Sequence, residues 1–204
     1  MNIVYTIGHT NYSINQFVDI LNLYSINCII DVRSTPYSKY TPQFNSKELK
    51  EELKKLGILY IHMGEEFGAR RAERKFYPHG YLDFEKVRLE SDLFHKGIHR
   101  VEVGCQKGYR IALMCTEKMP IDCHRCILVG KGLKDHGFQI RHVVSKEISM
   151  TQEEIETQLL DRYYPQRNQI SLDTLMQQPE SESELILECY RKRNKEIGYI
   201  VEEE

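Results

Sequence analysis

The densest chemistry in the chain is a short run of two thiols, a carboxylate, an imidazole and a guanidinium. These side chains belong to Cys115, Glu117, Cys123, His124 and Arg125. Thiolates are nucleophiles, carboxylates and imidazoles transfer protons, and guanidinium groups bind anions. An apolar stretch at residues 110–114 predicts a buried strand before the run, and residues 127–137 predict a helix after it. The run is therefore expected to form an active site between a strand and a helix.

The start of that helix is an expected anion site. Asp122 is a favourable N-cap residue, which would place Cys123, His124 and Arg125 in the first turn. Free backbone N–H groups and the helix dipole at this position attract anions and lower the pKa of a thiol. The sequence thus predicts Cys123 as a nucleophile, with His124 and Arg125 as substrate contacts. Small buried thiols beside a salt-bridged arginine are the alternative interpretation.

Cys115 ends its predicted strand, and Glu117 follows two residues later, so the pair is expected to act as nucleophile and general acid or base. A buried thiol is the alternative for Cys115. Zinc is a competing interpretation, because four nearby side chains are ligand types that it accepts. They are Cys115, Cys123, His124 and Cys126. The spacing disfavours zinc, since Cys-x-x-Cys occurs once and the adjacent Cys123 and His124 are expected to diverge. No cofactor is predicted.

Two other strand ends carry candidate site residues. His9 follows the first predicted strand between Gly8 and Thr10, and it is a candidate acid or base with its neighbours as substrate contacts. Asp31 and Arg33 end the second strand two residues apart, so strand alternation points both to one side. Asp31 is expected to orient His9 or a ribose hydroxyl, and Arg33 to bind the anion. A structural histidine and an internal ion pair are the alternatives.

Residues 64–81 combine basic and aromatic side chains, with Arg70 and Arg71 between Phe67 and Phe76. This mixture suits phosphate contacts and base stacking. The two arginines are therefore predicted substrate contacts, and nucleic acid is a candidate partner. A solvated loop is the alternative. The sequence contains neither a Gly-x-Gly-x-x-Gly fingerprint nor a Walker A motif.

The elements that must position these residues alternate between strand and helix. Apolar and β-branched runs predict five strands, at residues 3–7, 28–32, 58–62, 110–114 and 138–144. Helical patterns between them indicate an α/β fold, a doubly wound and mostly parallel sheet, for which we predict the order 3-2-1-4-5. That order brings the loops after strands one, two and four together, where such folds bind ligands. One shared cleft is therefore expected.

Bulk composition limits the classes of protein. The chain has 204 residues, of which 41% are hydrophobic, and its formal net charge of -2 favours neither nucleic acid nor a membrane. We expect an α/β domain over residues 1–150 and a helical extension over 151–204, with a polar linker near 165–184. No stretch has transmembrane length, and the first residues lack signal-peptide features. Six cysteines, interpreted as free thiols, predict a cytoplasmic protein.

Four ordered motifs run through these candidate sites. They are Thr6-Ile-Gly-His-Thr10 with Ser13; Asp31-Val-Arg-Ser34 with Pro36, Ser38, Pro42 and Phe44; Gly64 with Gly68-Ala-Arg-Arg71; and Cys115-x-Glu117 followed by Cys123-His-Arg125. Together they resemble the domain of unknown function 488 family over residues 1–145. The resemblance implies a compact α/β domain that is widespread in microbes, and it implies no reaction. The chain departs from the family pattern at Ala69 and Thr116, and Cys126 lies outside the pattern.

Three functions follow from these residues. The preferred hypothesis is an enzyme, a transferase or hydrolase, acting on a phosphorylated or otherwise anionic substrate such as a nucleotide or nucleic-acid base. In that hypothesis Glu117 and His9 transfer protons, and Cys115 or Cys123 is the nucleophile. Sulfur transfer of the rhodanese type is a variant with similar architecture only. The alternatives are a non-catalytic nucleotide or nucleic-acid binder and a zinc-stabilised interaction module.

Overall fold

Six strands form one sheet in the part of the chain that the computed structural model describes, residues 2–167 and 181–201. The strands are β1 (Ile3–Gly8), β2 (Cys28–Asp31), β3 (Leu59–His62), β4 (Ile111–Cys115), β5 (Gln139–Val143) and β6 (Ser149–Thr151). The first five run parallel to their neighbours, and β6 pairs antiparallel with β5. The predicted α/β class and mostly parallel sheet are confirmed.

The strand order is β3-β2-β4-β1-β5-β6, so the predicted order 3-2-1-4-5 is wrong in the placing of β1 and β4. Met114 of β4 lies beside Asp31 of β2, and Cys115 lies beside Gly8 of β1. Both exchanged strands are almost wholly buried, so their apolar content could not decide which one is central. The prediction of five strands misses β6, because its three residues are half-buried and show no alternation.

Helices cover both faces of the sheet. They are α1 (Ile14–Leu23), α2 (Ser46–Lys55), α3 (Gly64–Phe67), α4 (Phe84–Glu90), α5 (Asp92–Gln106), α6 (Lys131–Asp135), α7 (Gln152–Tyr163) and α8 (Glu182–Ile197). α1 and α2 bury Phe17, Leu49 and Leu53 in the smaller core, and the other helices build the larger core. None of the helices in the described ranges is long and apolar enough to cross a bilayer.

The helix after the reactive run begins as a π-helix, Arg125–Gly130, and continues as α6. The helix predicted at residues 127–137 is therefore present, but it begins at Arg125 and ends at Asp135, and its first part is π-helical. A Cβ added to Gly130 would lie 2.7 Å from Gln152 Oε1, so glycine permits the close approach of this helix to α7. Short π-helical segments are rare and are frequently found at functional sites.

A chain of buried polar groups links the sheet to α7 and α8. Thr6 Oγ1 lies 2.8 Å from His142 Nδ1, and His142 Nε2 lies 2.8 Å from Gln152 Oε1. Gln152 Nε2 donates to the Tyr190 hydroxyl at 2.7 Å, and that hydroxyl donates to Glu156 at 3.1 Å. Because each group has a matched partner, this buried polar chain carries little desolvation penalty. In the neutral His142 ring, Nε2 donates to Gln152 Oε1 and Nδ1 accepts from the Thr6 hydroxyl.

α8 packs against the rest of the protein. Arg193 Nε donates to Ile121 O at 2.9 Å, in the loop after β4, and Asn194 Oδ1 accepts from Phe84 N–H at the start of α4, at 2.7 Å. The end of the chain is therefore held close to the loop that carries the reactive run. Of the predicted polar linker, residues 168–180 lie outside the described residues.

Candidate functional site

The loops that follow β1, β2 and β4 meet at one edge of the sheet. His9 N–H donates to Cys115 O at 2.9 Å, and Val32 N–H donates to Met114 O at 3.1 Å, which extends the strand pairing into the loops. Since β4 is central, its loop has the other two on either side. The exchange of β1 and β4 thus preserves the expected meeting of the three loops and moves the cysteine loop to its centre.

A single carboxylate oxygen joins the two predicted nucleophiles. Glu117 Oε2 accepts from the Cys115 thiol at 3.0 Å and from the Cys123 thiol at 2.9 Å. Both cysteines are buried, at 3% and 1% exposure, whereas Glu117 is exposed as a residue and turns its carboxylate inward. The predicted pairing of Cys115 with Glu117 therefore has a geometric counterpart that also includes Cys123.

His124 completes the cluster. Its Nδ1 lies 3.8 Å from the Cys115 sulfur and 3.9 Å from the Cys123 sulfur. The expectation that adjacent Cys123 and His124 diverge is wrong, because the backbone is extended at Cys123 (φ -133°, ψ 139°) and helical at His124 (φ -59°, ψ -26°). This change in backbone direction turns both side chains to one side. The three donor atoms lie within 4.8 Å of one another and could hold a metal ion.

Asp122 does not cap the helix as expected. It ends a short 3-10 turn, and its carboxylate pairs with Arg193 of α8. Cys123 takes the capping place instead: its carbonyl accepts from Cys126 N–H at 3.0 Å, and its sulfur accepts from Arg125 N–H at 3.5 Å. A thiol at a helix start accepts backbone N–H groups as an oxygen cap does, which stabilises its thiolate.

Arg125 holds the loop instead of presenting a fork to a substrate. Its side chain is fully buried, and Nη1 and Nη2 donate to the carbonyls of Glu117 and Lys118 at 2.5 and 2.9 Å. The predicted bidentate contact between Arg125 and a substrate anion is therefore not what the geometry shows. Its role is to fix the loop that carries Glu117 over the helix that carries Cys123.

Asp31 and Arg33 form a buried ion pair, which is the alternative interpretation of these residues. Arg33 Nε and Nη2 donate to the two carboxylate oxygens at 2.9 and 2.6 Å, and Nη2 also donates to Phe44 O at 2.7 Å. Tyr60 adds a hydroxyl donor to Asp31 at 2.7 Å. Asp31 thus orients Arg33 and does not orient His9.

His9 is a core residue beside this pair. It is fully buried, its ring stacks on Phe44 at 4.3 Å, and its Nε2 lies 3.2 Å from Arg33 Nη1. Burial and the charge of Arg33 lower the pKa of His9 to about 4. His9 does not line the cleft that contains Cys115 and Glu117, so the geometry does not favour its predicted role in proton transfer to a substrate.

Gly8 and Thr10 also position loops. A Cβ on Gly8 would lie 1.9 Å from Glu117 O, so only glycine allows β1 to approach the cysteine loop this closely. Thr10 adopts a left-handed backbone (φ 38°) and donates its N–H to Thr116 O at 2.9 Å. Gly8 and Thr10, which were predicted as substrate contacts, therefore position the cysteine loop through its backbone.

A cleft of about 280 Å³ opens at the reactive cluster. Cys115, Glu117, Cys123 and His124 line it together, and Arg33 also lines it. The cleft therefore contains the thiols, the carboxylate and the imidazole that the sequence analysis singled out. The protonation states of these groups decide what chemistry the cluster can do.

Charge is unevenly divided within the cluster. The pKa of Cys115 is well above its ordinary value because of its interaction with Cys123 and its burial. Burial also opposes ionisation of Cys123, but Cys115 and the positive charge of Arg125 outweigh it, and the pKa of Cys123 is well below its ordinary value. Burial and Cys123 raise the pKa of Glu117. Cys123 is therefore the sulfur that ionises first.

Several residues that line the cleft were not predicted from the sequence as substrate contacts. They are Ser34, Thr35, Ile197 and Tyr199. Ser34 belongs to a motif of the family resemblance, and its hydroxyl accepts from Arg70 N–H at 3.0 Å. Nothing in the sequence marked Tyr199, because its place in the cleft depends on how α8 packs. Its ring lies 4.6 Å from the Arg70 guanidinium.

The two neighbouring arginines have different roles. Arg70 is exposed and lines both the cleft and an adjoining hollow of about 630 Å³. Arg71 is buried, and its guanidinium donates to the carbonyls of Glu65 and Glu66, so its predicted contact with substrate phosphate is not supported. The aromatic residues of this segment that were expected to stack on bases include two buried core rings, Phe67 and Phe76.

These features define an α/β protein with a thiol, carboxylate and imidazole cluster at the carboxyl edge of a parallel sheet. Its sequence matches the profile of the family described as domain of unknown function DUF488 over residues 13–131, more than half of the chain. The chain belongs to this family, which confirms the resemblance that the motifs indicated. No curated protein and no solved structure matches it.

Proposed function

We propose that the protein is a hydrolase for a small substrate that carries a carboxylate or phosphate group. The observation that supports this most is the position of Glu117. Its carboxylate lies in the cleft, within 3.0 Å of both sulfurs. The Arg125 guanidinium fixes the loop that carries Glu117 by donating to a backbone carbonyl of that loop. A carboxylate held in this way can exchange protons with a water or substrate in the cleft.

The reaction needs only groups that line the cleft. Glu117 accepts a proton from water, and the oxygen of that water forms a bond to the electrophilic carbon or phosphorus of the substrate. The bond to the leaving group breaks with its electron pair, and Glu117 returns the proton to the leaving group. The carboxylate thus ends the cycle as it began, and no electrons enter or leave.

Arg70 is the best placed contact for the negative charge of the substrate. Four arginines were predicted to bind an anion. In three of them, Arg33, Arg71 and Arg125, the guanidinium group donates to acceptors within the protein. Arg70 is exposed at the cleft, where the ring of Tyr199 supports its guanidinium. An anionic group bound there would place the rest of a small molecule near Glu117.

The size of the cleft sets the size of the substrate. A volume of about 280 Å³ suits a metabolite fragment, and the adjoining hollow of about 630 Å³ can accept a longer remainder. Ser34, Thr35 and Arg70 line both spaces. We therefore propose a substrate whose reactive bond lies beside Glu117 and whose anionic group lies at Arg70, where the two spaces join.

All six cysteines are free, in keeping with a cytoplasmic location.

Hydrolysis of a panel of small phosphate esters and of carboxylate-bearing esters and amides tests the proposal. For a substrate that the native chain hydrolyses, Glu117→Gln should keep binding and lose about 10²–10⁴-fold in kcat. Arg70→Gln should mainly raise KM. Arg74→Gln, at an exposed position outside the cleft, is the matched control and should keep native kinetics. Native turnover by Glu117→Gln would overturn the proposal.

A further inference from the structure

We infer that Cys115, Cys123 and His124 bind a divalent transition metal ion, best matched by Zn²⁺, with a fourth coordination position open to the cleft beside Glu117. The inference deepens the proposed function, and the role of a metal-bound water rests on that function. Metal binding itself requires no turnover, so the two can be tested separately.

The distances between the donor atoms suit zinc. Zinc–sulfur bonds of about 2.3 Å and zinc–nitrogen bonds of about 2.0–2.1 Å place sulfur and nitrogen about 3.6 Å apart across a tetrahedral edge. His124 Nδ1 lies 3.8 and 3.9 Å from the sulfurs of Cys115 and Cys123. All three donor atoms lie within 4.8 Å of one another, so small side-chain movements bring them to bonding distance from one ion.

The ring of His124 is oriented as a metal ligand. Its Nε2 lies 3.1 Å from Val32 O, a carbonyl that can only accept, so the proton of a neutral ring is on Nε2. The lone pair of Nδ1 then points at the two sulfurs. A backbone carbonyl behind the far nitrogen is the usual second partner of a metal-bound histidine, because it fixes the tautomer and the plane of the ring.

The backbone supports the sulfur of Cys123 as a thiolate ligand. Arg125 N–H donates to that sulfur at 3.5 Å, and the buried guanidinium of Arg125 places positive charge beneath the cluster. The same guanidinium ties the carbonyls of Glu117 and Lys118 to the helix start. The ligand from β4 and the two ligands from the helix start are therefore held in one rigid unit.

Cys126 is not a fourth ligand. Its sulfur is fully buried and lies 3.6 Å from His142 Nε2 and 3.5 Å from Gln152 Nε2, within the buried polar chain. The Cys-x-x-Cys pair is therefore divided between two environments. Three protein ligands with one open position is the arrangement of catalytic zinc sites, whereas structural sites have four. An ion held this way would lower the pKa of a bound water beside Glu117.

Cobalt titration of the full chain, stripped of metal with a chelator under reducing conditions, tests the site. We expect one Co²⁺ per chain, thiolate-to-cobalt charge transfer in the near ultraviolet, and the intense visible bands of tetrahedral cobalt. Zn²⁺ should displace the Co²⁺ and abolish these bands. The bands should be lost in Cys115→Ser, Cys123→Ser and His124→Gln, with circular dichroism reporting that each variant is folded.

Two further cysteine variants complete the test. Cys126→Ser should retain the cobalt bands, because its sulfur lies in the buried polar chain, and Cys105→Ser on α5 is the control for loss of a thiol elsewhere. Absence of the visible bands in the native chain would overturn the inference. Bands that survive in Cys115→Ser or Cys123→Ser, or that vanish in Cys126→Ser, would also overturn it.

Glu117→Gln separates the metal site from the proposed reaction. This variant should bind Co²⁺ with native bands and lose about 10²–10⁴-fold in kcat. Cobalt binding by a native chain that hydrolyses no panel substrate would leave the metal site standing and count against the proposed function. Hydrolysis by a native chain that binds no Co²⁺ would support the proposed function and overturn the metal site.

Discussion

Acidification from about pH 6.5 to pH 4 should destabilise the protein, because two buried histidines stay neutral in the folded state. Burial lowers the pKa of His142 from 6.5 to about 4, and burial with the charge of Arg33 does the same to His9. At His9 and His142 the unfolded chain binds more protons in this window than the folded chain does. The contribution of these two histidines to the free energy of unfolding therefore falls as the pH falls.

The magnitude follows from the pKa of His142. The gap between 6.5 and about 4 corresponds to about 3.4 kcal/mol when the pH is well below both values. At pH 5 the unfolded histidine is almost fully protonated and the folded one is not, which gives a loss of about 2 kcal/mol. That loss is a large fraction of the stability of an ordinary domain, which is about 5–15 kcal/mol.

Urea unfolding of the native chain and of His142→Gln, at several values between about pH 5 and pH 7, measures this contribution. All samples contain a chelator, so that pH-dependent metal binding does not add to the result. The variant should be less stable at neutral pH, because hydrogen bonds are lost, but should lose about 2 kcal/mol less than the native chain on going to pH 5. His99→Gln, on the exposed surface, is the control and should keep the native pH dependence. Equal slopes for the native chain and His142→Gln would refute the reasoning.

Three substitutions test the contacts that position the site. Gly8→Ala should destabilise the chain by about 1–3 kcal/mol and weaken Co²⁺ binding, because the added Cβ would lie 1.9 Å from a carbonyl of the cysteine loop. Asp31→Asn should cost about 3–5 kcal/mol in urea unfolding, since it leaves the buried charge of Arg33 without its partner. Tyr199→Ala should raise KM with little change in kcat, because it removes the ring that supports Arg70.

Each of these predictions has a control variant. Gly104→Ala meets only the flexible end of one side chain and should be tolerated, so equal destabilisation of both alanine variants would contradict the steric argument. Asp19→Asn breaks an exposed ion pair and should cost less than about 1 kcal/mol. An equally small cost for Asp31→Asn would contradict the buried pair. Tyr199→Phe keeps the ring and should keep the native KM.

Local chemistry and strand ends were predictable from the sequence. The apolar run before Cys115, and the polar residues directly after each strand, placed Glu117 and the cysteines at the carboxyl edge of the sheet without knowledge of strand order. The order itself was not predictable in this way, since β1 and β4 are similarly buried. The meeting of the loops survived that error because β1, β2 and β4 are consecutive in either order.

Partners of charged groups were the least predictable feature. A sequence shows that Arg33, Arg71 and Arg125 are cationic, but only the fold shows that a carboxylate or backbone carbonyls already occupy them. The convergence of Cys123 and His124 depends on one change of backbone direction between adjacent residues. Neither feature has a periodicity or a spacing that a sequence pattern could reveal.

The buried Arg125 changes what the Cys-His-Arg tripeptide can be used for. The arginine fastens the loop through two backbone carbonyls, so its place in the tripeptide is explained by the shape of that loop. Selectivity for one molecule over another would come instead from Arg70 and Tyr199 at the rim, and Tyr199 lies beyond the matched residues 13–131. The proposed function thus places the Tyr199 contact in a part of the chain that the family profile does not cover. Comparing rim residues between members is the way to divide the family into groups of shared specificity.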